Sequence, residues 1–330
     1  MEENIQTLSS IIARSRTFLM GLAMIVIMLF HNSFGVLGYF ALPFSVYGHW
    51  GVDVFIFLSG FGIYHALKKN GLNTLRTFYS RRLLRIMPAS IIAGACMYFL
   101  GKANILALMG LNMWYIRTIL MLYFLSPILY VLLTRFSPPR ALFAVVILSV
   151  IGVLLGVPLL DGLGFTWQTT ITWTFARLSS FIVGMYVAHA NIDLNRLKRT
   201  VPILVCSALL IALLLLHLER HRCASISTYL HLLPYIVLAI ILPFFCCLIY
   251  KVYSCSPSVV RRCVEFFGIY SLEIYLVHEA VFREIIALHI PSSMKFLTGY
   301  GISIILAVLL HFLAAFFCRL FIKIKTSAVF

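Results

Sequence analysis

The sequence predicts an all-α polytopic membrane protein of about ten transmembrane helices, with the N-terminus and C-terminus both cytoplasmic. Three observations predict it. Hydrophobic residues make up 62% of the 330 and charged residues only 11%, less than half the roughly 25% charged share of soluble domains. The apolar residues fall in runs close to the roughly 20 residues that cross a hydrocarbon core of about 30 Å. The runs are continuously apolar and lack the alternation of a lipid-facing strand, so they are helices and not barrel strands.

In chain order the runs cover 17–40, 51–67, 86–101, 112–134, 141–159, 173–190, 201–217, 232–251, 268–288 and 301–322. The short ones, 51–67 and 86–101, need flanking residues or local thinning of the bilayer. Orientation follows from lysine and arginine placement. With the N-terminus inside, the inner segments hold nineteen cations, and the outer segments hold four, Lys102, Arg220, Arg222 and Lys295. Arg117, Arg177 and Arg283 lie within spans. The net charge of +16 is therefore read as positive-inside bias and contact with the lipid bilayer. A basic face built of short membrane loops offers no surface for nucleic acid.

The run after Arg16 is too long for a cleavable signal and no Ala-x-Ala site follows it. The eight cysteines show no paired spacing with histidines, so no metal is expected and they read as small buried hydrophobes. No internal repeat or soluble segment interrupts the chain, which reads as one membrane domain over 1–330. No feature specifies an oligomeric state.

His31 stands in the middle of the first apolar run, after Met20–Phe30 and near the membrane midplane, with no polar residue in the ten before it. An imidazole inside a membrane is costly unless it has a partner or a water-lined cavity, so His31 is the first functional candidate. Asp53 begins the second run, in Gly51-Val-Asp53-Val-Phe-Ile-Phe-Leu-Ser59-Gly60-Phe-Gly62. It needs a partner as well: a histidine, a backbone donor or its own helix start. Ser59, Gly60 and Gly62 leave room for another helix.

The segment 68–85 carries six cations and no acid. Arg81, Arg82 and Arg85 fall within five residues, two of them on one helix face. Arginine offers a planar fork of donors suited to phosphate oxygens, so a docking site for a phosphorylated donor stands beside simple topology anchoring. The ninth run holds Glu273, His278, Glu279, Arg283 and Glu284. Glu279 and Arg283 form an i, i+4 pair, and Glu273 and His278 are candidates for lining a polar cavity. Arg117 and Arg177 either snorkel outward or face inward to meet an anionic acceptor or stabilise an oxyanion. Trp50, Trp114, Trp167 and Trp173 fall at outer ends, as an interfacial belt or as a rim that stacks on sugar rings.

Taken in order, these segments resemble acyltransferase family 3 of membrane-bound O-acyltransferases, in the short single-domain form. The resemblance rests on Leu29-Phe30-His31, Gly51-Val-Asp-Val-Phe-Ile-Phe-Leu-Ser-Gly60 and Phe78-Tyr-Ser-Arg81-Arg82-Leu-Leu-Arg85-Ile-Met-Pro88. It continues through Trp114, Tyr123 and Pro127, Arg177-Leu-x-x-Phe-x-x-Gly184, and Ser271-Leu-Glu-Ile-Tyr-Leu-Val-His278. Met20 stands where the family commonly places an arginine, and Arg16 is the nearest substitute, roughly on the same helix face as His31. Ile119 and Leu120 replace a pair of glutamates common in the family.

The resemblance implies transfer of an acyl group, most often acetyl, from acyl-CoA to a hydroxyl of a sugar or surface glycan, at the cell membrane. It implies no tightly bound cofactor; acyl-CoA (acetyl-CoA) is the donor substrate. Donor phosphates are expected on Arg81, Arg82, Arg85 and Arg16. His31 is expected as general base, with Asp53 or a group of the ninth helix orienting its ring. Trp114, Arg117, Arg177, Glu273 and His278 are expected on the acceptor side. A transporter of an acyl group, glycolipid or small anion uses the same ingredients, but it predicts repeats with broken helices that the sequence does not contain. A purely structural subunit leaves His31 without a purpose.

Overall fold

The computed structural model describes residues 7–32, 48–159, 165–193 and 233–327. Ten α-helices lie among them: α1 Leu8–Phe30, α2 Gly51–Asn70, α3 Leu75–Phe99, α4 Trp114–Arg135, α5 Pro138–Leu159, α6 Phe165–Ala190, α7 Leu233–Cys255, α8 Ser258–Ile269, α9 Ser271–Ile286 and α10 Ser292–Ser327. Short 3-10 turns precede α2 and α3, and a third, Ile105–Met109, precedes α4.

Seven helical stretches among the described residues are long and apolar enough to cross a membrane: Leu8–Phe30, Gly48–Asn70, Leu72–Phe99, Trp114–Arg135, Gln168–Ala190, Pro234–Cys255 and Ser292–Leu320. Each overlaps one of the ten expected runs, the first beginning at Leu8 and ending at Phe30 where 17–40 was expected. The other three differ for separate reasons. The run at 201–217 lies outside the described residues, as do residues 33–40 of the first run and the side chain of Trp167. α5 contributes a shorter apolar stretch, Pro138–Val153. The run at 268–288 is the 16-residue α9, about 24 Å long at 1.5 Å per residue, short of a full crossing and interrupted by three glutamates and an arginine. The two brief runs, 51–67 and 86–101, extend at their ends into full spans, as their length required.

The chain divides into two compact units, each assembled from separated stretches. The first comprises Met1–Leu19, Val52–Thr74 and Thr118–Arg261. In it α5, α6 and α7 pack against one another, and α2 lies against α6 through two glycines. A Cβ on Gly60 would stand 2.1 Å from the Phe181 carbonyl oxygen, and one on Gly184 would stand 2.1 Å from that of Phe57. These close approaches are what Gly60 permits, and only glycine fits them. At the end of α6, Asn191 takes a left-handed φ of 44°, and the Leu8 amide donates to the Ile192 carbonyl at 2.9 Å.

The second unit comprises Met20–Gly51, Leu75–Arg117 and Arg262–Phe330. Here α3, α9 and α10 pack against one another, and α3 also carries the Ile105–Met109 turn. The Asn104 side chain caps that turn by accepting from the Leu106 amide at 3.1 Å. The C-terminal part of α1 is held on two sides. Gly21 leaves space for the Val264 carbonyl of α8, while Gly48 and Gly51 let the 3-10 turn close onto Val26, Phe30, Ala23 and Ile27. That clamp sets where His31 stands. On α10, Ile305, Leu309, Phe312 and Phe316 are exposed, as expected of a helix whose partner on one side is lipid. Among the cysteines, Cys246 is buried, but Cys96, Cys255 and Cys263 are exposed, so burial is not common to them.

Candidate active site

In the second unit, two histidines meet. His31 is the first residue beyond α1, its amide 3.2 Å from the Ile27 carbonyl oxygen. It therefore ends a helix rather than standing in the middle of one. Its half-buried ring keeps Nδ1 3.0 Å from that same carbonyl oxygen. The same nitrogen lies 3.1 Å from Nε2 of His278, with the ring centroids 4.9 Å apart and the planes at 65°. The Phe30 ring stands edge-on to His31 at 4.8 Å. Thus α9 supplies the partner that a membrane-embedded imidazole requires.

His278 is buried in the middle of α9, at 1% exposure. Its Nδ1 donates into its own helix, 2.9 Å from the Ile274 oxygen and 3.0 Å from that of Tyr275. The rings of Tyr275 and Phe282 lie 5.9 and 5.8 Å away. Tyr275 also meets Tyr115 from the first turn of α4, at 5.0 Å. Beside Tyr115, Trp114 opens that helix. Arg117, one turn on, folds back and donates to the loop carbonyls of Leu111 at 2.7 Å and Asn112 at 3.0 Å.

Arg81, Arg82 and Arg85 lie on α3 of the same unit. Arg81 and Arg85 are exposed and Arg82 is half-buried, its guanidinium 5.7 Å from the Phe78 ring centroid. Glu273 is buried and pairs with Nδ1 of His311 on α10 at 2.8 Å. The expected Glu279–Arg283 pair forms, with the arginine exposed, and Glu284 pairs with Lys102 at 2.5 Å.

The first unit holds the other expected residues. Asp53, in the first turn of α2, is fully buried and ion-paired with the equally buried Arg177 of α6. Its second oxygen accepts from Ser180 Oγ at 2.9 Å. The Arg177 guanidinium also sits over the rings of Tyr235, at 3.9 Å, and Trp173, at 5.1 Å. Arg177 therefore faces inward, as one of its two readings required, but toward Asp53. Both Asp53 oxygens are occupied, and the imidazole that meets the His31 ring is that of His278. The Arg16 guanidinium lies against Gly62 of α2, 3.2 Å from where a Cβ would be.

A family profile described as an acyltransferase domain matches residues 18–316, which takes in α1 from Phe18 through most of α10. The chain belongs to acyltransferase family 3. It is a multi-pass membrane protein, and every expected site residue except Arg16 lies inside the matched stretch. No curated protein and no solved structure matches the chain.

Three groups of this acyltransferase were not singled out from its sequence. His311 interrupts the apolar run 301–322 as His31 interrupts the first, so the same cost argument flags it. Ser180 follows Arg177 by three residues, one helical neighbour along the same face. Tyr235 carries no local signal, since an aromatic at the start of an apolar helix is ordinary.

Proposed function

We propose that the chain is a membrane O-acyltransferase. It moves an acyl group, acetyl in the simplest case, from cytoplasmic acyl-CoA to a hydroxyl of a cell-surface glycan or its lipid-linked precursor, with His31 as general base. The observation that carries the reading is the imidazole of His31, half-buried and anchored through Nδ1. Its other nitrogen, Nε2, faces neither of those partners and is the atom offered for proton transfer.

Neutral imidazole takes the proton of the acceptor hydroxyl while the oxygen attacks the thioester carbonyl. The positive charge that then develops on the ring lies at the C-terminal end of α1, where the helix carbonyls favour a cation by about 0.3–2 kcal/mol. Arg81, Arg82 and Arg85 bind the donor phosphates on the cytoplasmic side. Trp114 is suited to stacking on a sugar ring of the acceptor.

The test is the His31→Ala variant at normal membrane abundance, assayed for transfer from labelled acetyl-CoA to the envelope glycan. Loss of a general base lowers transfer about 10²–10⁴-fold. Undiminished transfer eliminates His31 as the base, and uptake of label into vesicles without acylation identifies a transporter instead.

A further inference from the structure

We infer that His278 is a positioning residue that holds His31 in the one tautomer able to act as base, and that it makes no contact with the acceptor. The inference rests on the reading of His31 given above. Nδ1 of His278 faces two carbonyl oxygens, at 2.9 and 3.0 Å. Carbonyls only accept, so that nitrogen carries the proton, and Nε2 of the neutral ring is a lone pair.

The lone pair is 3.1 Å from Nδ1 of His31, which also lies 3.0 Å from the Ile27 carbonyl oxygen. A nitrogen between two acceptors must be the donor, so the single proton of neutral His31 sits on Nδ1 and its Nε2 is bare. The alternative tautomer would turn a lone pair toward both acceptors. The bonds therefore run in one direction, from His31 Nδ1–H to His278 Nε2 and from His278 Nδ1–H to the α9 backbone. Burial of His278 between Tyr275 and Phe282 keeps its ring from turning over.

During transfer the acceptor proton moves to His31 Nε2 as the hydroxyl oxygen bonds to the thioester carbon. When the tetrahedral intermediate collapses, the carbon–sulfur bond breaks and Nε2 returns the proton to the coenzyme A thiolate. His278 gains and loses no proton. Its lone pair accepts from a charged ring in between, a shorter and stronger hydrogen bond than the neutral one.

The experiment replaces the residue in the full-length protein and measures labelled acetyl transfer from acetyl-CoA in membranes of the source cell. His278→Leu removes the acceptor and keeps an apolar volume. His278→Gln puts an amide oxygen near the position of Nε2. We expect His278→Leu to lower the maximal rate per copy about 100-fold or more with the KM for acetyl-CoA within about twofold, and His278→Gln to recover to within about tenfold of the parent.

Equal losses in the two variants, a loss expressed in the acceptor KM, or a His278→Leu rate within about threefold of the parent overturn the inference. His278→Asn replaces the leucine variant if that protein fails to accumulate, because its amide is too short to reach His31. His31→Ala is run beside them. Full activity in that variant overturns the base assignment, whereas its loss together with an active His278→Leu overturns only the role of His278.

Discussion

The Asp53–Arg177 pair yields the sharpest energetic prediction. The pair is fully enclosed, at 0% and 1% exposure. Arg177→Leu leaves a buried carboxylate whose remaining named side-chain partner is the Ser180 hydroxyl at 2.9 Å. Breaking a buried ion pair from one side costs about 3–5 kcal/mol. Asp53→Leu leaves a cation that still sits over Tyr235 and Trp173, contacts worth about 0.5–2 kcal/mol, so it costs less than Arg177→Leu.

The double variant, with both positions leucine, removes both charges and costs less than either single change, so the coupling exceeds the cost of Arg177→Leu alone, about 3–5 kcal/mol. The assay is a double-mutant cycle on denaturant unfolding of the detergent-solubilised chain. Costs that add within about 0.5 kcal/mol would refute the claim that the two charges stabilise each other. The same double variant separates structure from chemistry at Asp53. If the carboxylate serves only to neutralise Arg177, acetyl transfer returns to near the parent rate along with stability.

Gly60→Ala and Gly184→Ala each place a methyl 2.1 Å from a facing carbonyl oxygen. Each should push α2 and α6 apart and destabilise the first unit by about 1–3 kcal/mol, read as a lower unfolding midpoint in detergent, while Gly301→Ala, which meets nothing within 4 Å, should not. Substituting Arg81 or Arg85 by alanine should raise the KM for acetyl-CoA about 10–100-fold, the equivalent of about 1.5–3 kcal/mol for one charge-assisted bond, with little change in maximal rate. Equal effects on a donor lacking the coenzyme A phosphates would contradict phosphate recognition there.

Class and segmentation were legible because they depend on local composition. A run of about 20 apolar residues is a span whatever it packs against, and seven of the ten runs lie in long apolar helices. α9 escaped that logic: its apolar positions are interrupted by charges whose pairing with Lys102, Arg283 and His311 lets a short helix persist among longer ones. The arginine cluster on α3 was also readable, since helical spacing alone places two of its members on one face.

The sequence by itself determined which residues needed partners. Burying His31, Asp53, Arg177 or Glu273 is costly wherever it happens, and that cost is a property of the residue and its immediate neighbours. Only the tertiary structure decided who the partners are. Asp53 meets a residue 124 positions away and His31 one 247 positions away. Such choices depend on how helices are rotated and how closely they approach, which glycine contacts at Gly21, Gly48, Gly60 and Gly184 set through space. A single apolar run carries no record of the face it will turn to another helix hundreds of residues distant.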